Sequence, residues 1–287
     1  MMIILSSCGV IGGSTPTPSP SPAPPTITPL PSPTPIPAVV VVNGERISVE
    51  EFEAELARLQ AAQKEMGVSS DLSSQQQLVL DELINQTLLA QGAKEAGFMV
   101  DDAMLQERLD ELATQKGGQA ALEQWQTAHG YTPDNFKQAL QRQLAVAWMR
   151  DKIGTDLPAE IDQVHVIQIL LYDEETAKAV LEQVKSGSDF ATLAASYDPV
   201  TKGDLGWFPK GYLLAPEVEE AAFTLLKPGQ VSDIIKSAVG FHIIQVVARD
   251  TKQPINPDVR LVLQRNAIQA WLENQRNQSR IEMLLSK

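Results

Sequence analysis

The stretch GDLGWFPKGYLLAPEVEEAAFTLLKPGQVSDIIKSAVGFHIIQV (residues 203–246) decides the fold. It begins with a short extended GWF and continues into a short helix, PEVEEAAF (216–223). A KPG turn follows, and then two strands, 230–235 and 241–248. Upstream, QVHVIQILL (163–171) alternates and is β-branched, which is strand patterning. Asp173 can cap the helix EETAKAVLEQVKSG, which stops at Gly187, and Ser188 precedes a second short helix, DFATLAASY (189–197). A strand, two helices, a short helix and two strands over about 90 residues make an α+β module.

Working outward, AVVVVNGERIS (38–48) reads as a short strand, an Asn43-Gly44 turn and a capping-box pattern formed by Ser48 and Glu51. Helical periodicity follows at Phe52, Leu56 and Leu59. It continues over 74–96 (Leu80, Leu83, Ile84, Leu88), over 102–115 (Leu105, Leu109, Leu112) and over 119–128. Thr132-Pro133 supplies an N-cap and a first-turn proline for a helix carrying Phe136, Leu140 and Leu144, which ends near Gly154. The final segment, 257–287, carries Ile268, Trp271, Leu272, Ile281 and Leu284 and is expected as one amphipathic helix packed back on the helical region. RDTKQPINP (249–257) is expected as the turn-rich return path.

Residues 14–37 hold eleven of the nineteen prolines, so this tract cannot build a core. At ~3.1 Å per residue it would reach roughly 75 Å if fully extended. The single cysteine, Cys8, sits in Leu5-Ser6-Ser7-Cys8-Gly9, which resembles a bacterial lipobox. The apolar stretch ahead of it is short, as if a signal were clipped. A net charge of −13 argues against nucleic acid as a partner. No run approaches the ~20 apolar residues of a membrane span. Three scattered histidines and one cysteine give no metal-ligand spacing, and no phosphate loop or nucleophile elbow is present.

From about 162 to 249 the chain resembles the parvulin-type peptidyl-prolyl isomerases. The matching pieces, in order, are ILLYDEETA (169–177), DFATLAASY, GDLGWF, PEVEEAAF, KPGQVS (227–232) and GFHIIQV (240–246). VNGERIS and the helices after it resemble the N-terminal chaperone region of SurA- and PrsA-type foldases. Together these resemblances imply an α+β parvulin-like domain, a small antiparallel sheet flanked by helices, inserted in or appended to an all-α chaperone domain. The expected organisation is 1–13 lipobox and clipped signal, 14–37 proline-rich linker, 38–157 chaperone domain, 158–252 isomerase domain and 253–287 C-terminal helix.

Carried over residue by residue, the resemblance places His242 on the second of two family histidines and Ser237 on a hydroxyl position of the same cluster. Phe208, Leu213 or Leu214, Val218 and Phe223 fall at the proline pocket. The first histidine is replaced by Gln168, and Asp198 is the nearest counterpart of a family aspartate or cysteine. His165 lies three residues from Gln168, an odd offset that points to the opposite face of a strand. Rotation about an X-Pro bond crosses a barrier of about 18–20 kcal/mol without making or breaking a bond. Gln168 can donate and accept hydrogen bonds but cannot titrate, which implies isomerase activity at a reduced rate. The alternative is a non-catalytic chaperone that uses the groove to hold peptides. The implied clients are unfolded exported polypeptides with X-Pro bonds. The implied location is extracytoplasmic, on a membrane through lipidated Cys8, and no cofactor is implied.

Overall fold

The structure is a computed structural model and describes residues 37–284. Cys8 and nearly all of the proline-rich tract lie outside the described residues.

Strands β1 (Ala38–Val42) and β2 (Glu45–Ser48) form a hairpin. Its turn residues, Asn43 (φ 52°) and Gly44 (φ 88°), both take left-handed backbone, which an Asn-Gly pair accepts at low cost. Helices α1 (Val49–Met66), α2 (Leu72–Glu95), α3 (Asp102–Lys116), α4 (Gln119–Ala128) and α5 (Pro133–Thr155) follow. Only half of the expected capping box forms at α1. Ser48 Oγ accepts from the Glu51 N–H at 3.1 Å, while the Glu51 carboxylate turns to Arg142 of α5. A full reciprocal box forms instead at α5, between Thr132 and Asn135.

The module that follows contains β3 (Glu160–Leu171), α6 (Glu174–Lys185), α7 (Phe190–Tyr197), β4 (Asp204–Phe208), α8 (Pro216–Thr224), β5 (Ile235–Ser237) and β6 (Gly240–Pro254). Its sheet runs β4-β3-β6-β5, antiparallel throughout. Period-two alternation sends Val164, Val166, Ile244 and Val246 to one face, beneath α8, with Phe208 and Val218. Ile169, Leu171 and Ile243 go to the other face, beneath α6 and α7, with Val180 and Phe190.

Three expectations need correction. Residues 249–254 are not a turn-rich linker but the outer part of β6, paired with β3 as far as Glu160 opposite Pro254. Gln163 fastens this end by donating its side-chain amide to the carbonyls of Gln253 and Pro254, at 3.0 and 3.2 Å. Most of 230–235 is not a strand. Ser232 Oγ accepts from the Ile244 N–H at 3.0 Å, so a side chain takes the place of a ladder carbonyl.

Finally, the last segment is not one helix. Helix α9 (Pro257–Gln278) stops, and β7 (Ile281–Met283) pairs with β1 to give a sheet ordered β2-β1-β7. The free edge of the β-branched β1 offers unpaired backbone groups, and Ile281 buries its side chain in the core under that sheet. The helical body is therefore α-rich with a small sheet of its own.

Helix α9 returns along α2 and α5. Trp271 and Leu272 enter their cores, and Arg276 pairs with Asp81 at 3.1 Å. Elements before β3 and after β6 thus share one core, and the α+β module is inserted between them. Gly92 of α2 makes this crossing possible, because a Cβ there would lie 2.5 and 2.6 Å from ring carbons of Trp271. Helix propensity alone predicts that Gly92→Ala stabilises by about 1 kcal/mol. The packing predicts instead a loss of about 1–3 kcal/mol, read from the urea midpoint. A raised midpoint would contradict this docking of α9.

Candidate functional site

His242 lies on β6 and is 3% exposed. It pairs across the ladder with Leu170, which puts Gln168, two residues back along β3, on the same face. His242 Nδ1 stands 3.0 Å from Gln168 Oε1, and His242 Nε2 stands 2.7 Å from Ser237 Oγ at the end of β5. With Gln168 Oε1 rather than its amide nitrogen turned to the ring, the geometry corresponds to the tautomer that carries its hydrogen on Nδ1. Nε2 is then an acceptor and takes the Ser237 hydroxyl hydrogen, while Ser237 Oγ accepts from the Val239 N–H at 3.1 Å. The result is a directed chain, Val239 N–H to Ser237 to His242 to Gln168. Burial lowers the His242 pKa below its ordinary 6.5, and nearby Glu217 opposes that in part. The imidazole is therefore neutral at neutral pH. The Gln168 amide NH2 has no protein partner among the described residues.

Gln168 and His242 lie on the floor of a groove of about 900 Å3, and Ser237 supports His242 from outside its lining. Its module side includes Leu213, Leu214, Val218 and Val239, and its opposite wall is helix α9, through Val262, Arg265, Asn266 and Gln269. The loop before α8 is shaped by Glu219, whose carboxylate accepts the backbone N–H groups of Gly211, Tyr212 and Leu213 at 2.6, 2.9 and 3.0 Å. Gly203 (φ 71°) backs the floor. A Cβ there would sit 2.0 Å from the Gln168 carbonyl oxygen, so only glycine allows β3 and this loop to approach so closely.

Of the residues expected at the site, the structure brings Gln168, Ser237, His242, Leu213, Leu214 and Val218 together. Both leucines line the groove, with Leu214 standing out into solvent. Phe208 and Phe223 lie behind the groove in the core, ring centroids 6.3 Å apart, and support its floor without lining it.

Asp198 is not at the groove. One oxygen accepts from the N–H groups of Val200 and Thr201, at 3.0 and 3.1 Å, and the other takes the Thr201 hydroxyl. Those bonds hold its carboxyl below the usual range, and they close the loop after α7. His165 is likewise elsewhere, bonded to Asp204 at 2.7 Å, although a bulge follows it in the ladder. Sequence reading missed Glu219 and the whole α9 wall. Glu219 is one of three acidic residues in a short helix, and nothing in the pattern of α9 records what its outer face meets.

A buried imidazole fixed beneath an apolar groove, on a four-stranded antiparallel sheet with helices on both faces, defines a parvulin-type isomerase module. It is carried here by a SurA-like helical body. Residues 173–248 match the family model described as the PPIC-type PPIASE domain, and residues 30–150 match the SurA-like N-terminal domain. The foldase protein PrsA of Geobacillus sp. (strain WCH70) is 32% identical over 218 residues, covering 72% of this chain and 75% of that protein. Its counterpart in Caldanaerobacter subterraneus subsp. tengcongensis is 32% identical and covers 72% of each. A solved structure of peptidylprolyl isomerase (PrsA) from Bacillus cereus is 25% identical, with a TM-score of 0.47, and the match covers 83% of this chain and 89% of that one. The chain belongs to the PrsA foldase family.

Proposed function

We propose that the groove catalyses cis–trans isomerisation of X-Pro bonds in unfolded exported polypeptides, and that the helical body holds those clients. The observation that carries this reading is the Gln168–His242–Ser237 chain under an apolar slot. The slot takes the pyrrolidine ring against Leu213 and Val218. Desolvation there favours the twisted amide, which is less polar than the planar one, so the site binds the transition state better than either ground state. Both nitrogens of His242 are already engaged. It is therefore a positioning residue that fixes Gln168 through Oε1. The free NH2 of Gln168 is the donor for the substrate, toward the carbonyl or the nitrogen of the twisted bond. No proton is transferred, so a residue that cannot titrate suffices.

A second reading, peptide holding without catalysis, is favoured by the same glutamine and by the exposed Leu214 and Val239 on the rim. A proline-limited refolding assay separates the two. Under the isomerase reading the wild-type chain accelerates refolding, and Gln168→Ala and His242→Ala each lower the rate constant about tenfold, the worth of one well-placed hydrogen bond. Absence of acceleration by the wild type, with client aggregation still suppressed, leaves only the holding reading.

We also propose that Cys8 is lipidated and that the proline-rich tract spaces the folded body from an extracytoplasmic membrane face. The lipobox-like sequence and the tract's composition support this reading. Mass spectrometry of membrane fractions from cells expressing the full-length chain should find acylated Cys8. Unmodified Cys8 in those fractions would end the proposal.

A further inference from the structure

We propose that Arg265 on α9 makes the groove selective for X-Pro peptides with an acidic side chain next to the proline. The helix that returns to the helical body is then part of the substrate site. This rests on reading the groove as the X-Pro site.

Three arginines lie on α9, and two are occupied by the helical body. Arg260 donates to the carbonyls of Gly154 and Pro158, at 3.4 and 3.2 Å, and Arg276 pairs with Asp81. Arg265, between them, has no such partner among the described residues and stands on the groove wall. The other side chains lining the groove are apolar or neutral, His242 included, so the guanidinium is the one fixed charge that a bound peptide meets there.

Two of the three neighbouring charges are committed, and the third, Glu217, lies near His242 but outside the groove lining. Glu219 is spent on three backbone N–H groups, and Lys210 Nζ lies over the Phe223 ring at 5.4 Å. Glu217 acts on His242 from the first turn of α8 and forms no ion pair with Arg265.

The wall is held in place. Next to Arg265, Asn266 Nδ2 donates to the Gly211 carbonyl at 2.6 Å, tying α9 to the loop that presents Leu213 and Leu214. Peptide seated over Gln168 therefore lies between that loop and α9, and an acidic side chain flanking its proline reaches a guanidinium that can donate two parallel N–H bonds to its carboxylate. Arg265 is exposed, so the preference is that of a screened ion pair, about two- to fivefold.

The test uses the full chain and short peptides carrying Glu, Ala or Lys immediately before or after one proline. Isomerisation rate by NMR exchange and Kd by titration are both recorded. At one flanking position Glu should exceed Lys about two- to fivefold, and the ratio should fall toward one at high salt. The preference should persist in Arg265→Lys and reverse in Arg265→Glu, with an unchanged unfolding midpoint confirming that the variant is folded. Equal Glu and Lys values in the wild type, or a ratio unmoved in Arg265→Glu, would overturn the proposal. Binding without isomerisation would defeat the catalytic reading alone, because the ratio is then read from Kd. Absence of binding by every peptide would defeat both.

Discussion

The register that sets Leu170 opposite His242 is the constraint on which the site depends. It puts Gln168, Leu170 and His242 on one face of the sheet and Ile169, Leu171 and Ile243 on the other, against α6 and α7. A slip of one residue would turn the imidazole into an apolar core and carry Ile243 to the groove. Both faces are covered, so each alternative register would bury polar groups and expose β-branched ones. The same pairing runs on to Glu160 and Pro254, so the ladder that aligns the site also forms the stem joining the module to the helical body. Gln163 and the Arg249–Asp162 pair, at 2.8 Å, fasten that stem.

The groove is consequently a shared structure. Its floor comes from β3 and β6, its near rim from the loop that Glu219 holds, and its far wall from α9. Helix α9 answers to two partners. Trp271 and Arg276 fix it against α2, and Asn266 fixes it against Gly211. The helical body and the groove are thus joined through one helix, so under the proposed function a client held on the first and a proline seated in the second would meet connected surfaces. That geometry gives a physical reason for the module to be inserted rather than attached at a chain end.

Much of this was legible in the sequence because it is written in local chemistry. The alternation of 163–171 marked a strand, and the Asn43-Gly44 turn and the Thr132-Pro133 start announced themselves. The odd offset of His165 from Gln168 placed it away from the groove, and the bulge after it does not bring it round. What escaped depends on contacts distant in sequence. Residues 281–283 carry weak helical periodicity, and only the open edge of β1, more than two hundred residues earlier, makes them a strand. Asp198 sits near the aligned position, yet local N–H groups satisfy its carboxylate first. Arg265 and Asn266 look like ordinary solvent-facing helix residues until the inserted module is folded against them.

The site turns on a neutral, buried His242 whose hydrogen sits on Nδ1 and whose acceptor Nε2 receives the Ser237 hydroxyl. Long-range 1H–15N NMR of the imidazole, followed through a pH titration of the intact chain, reads both properties at once. A single neutral tautomer protonated at Nδ1 and a midpoint below the ordinary 6.5 are expected. A hydrogen on Nε2, or a midpoint at or above that ordinary value, would contradict this assignment.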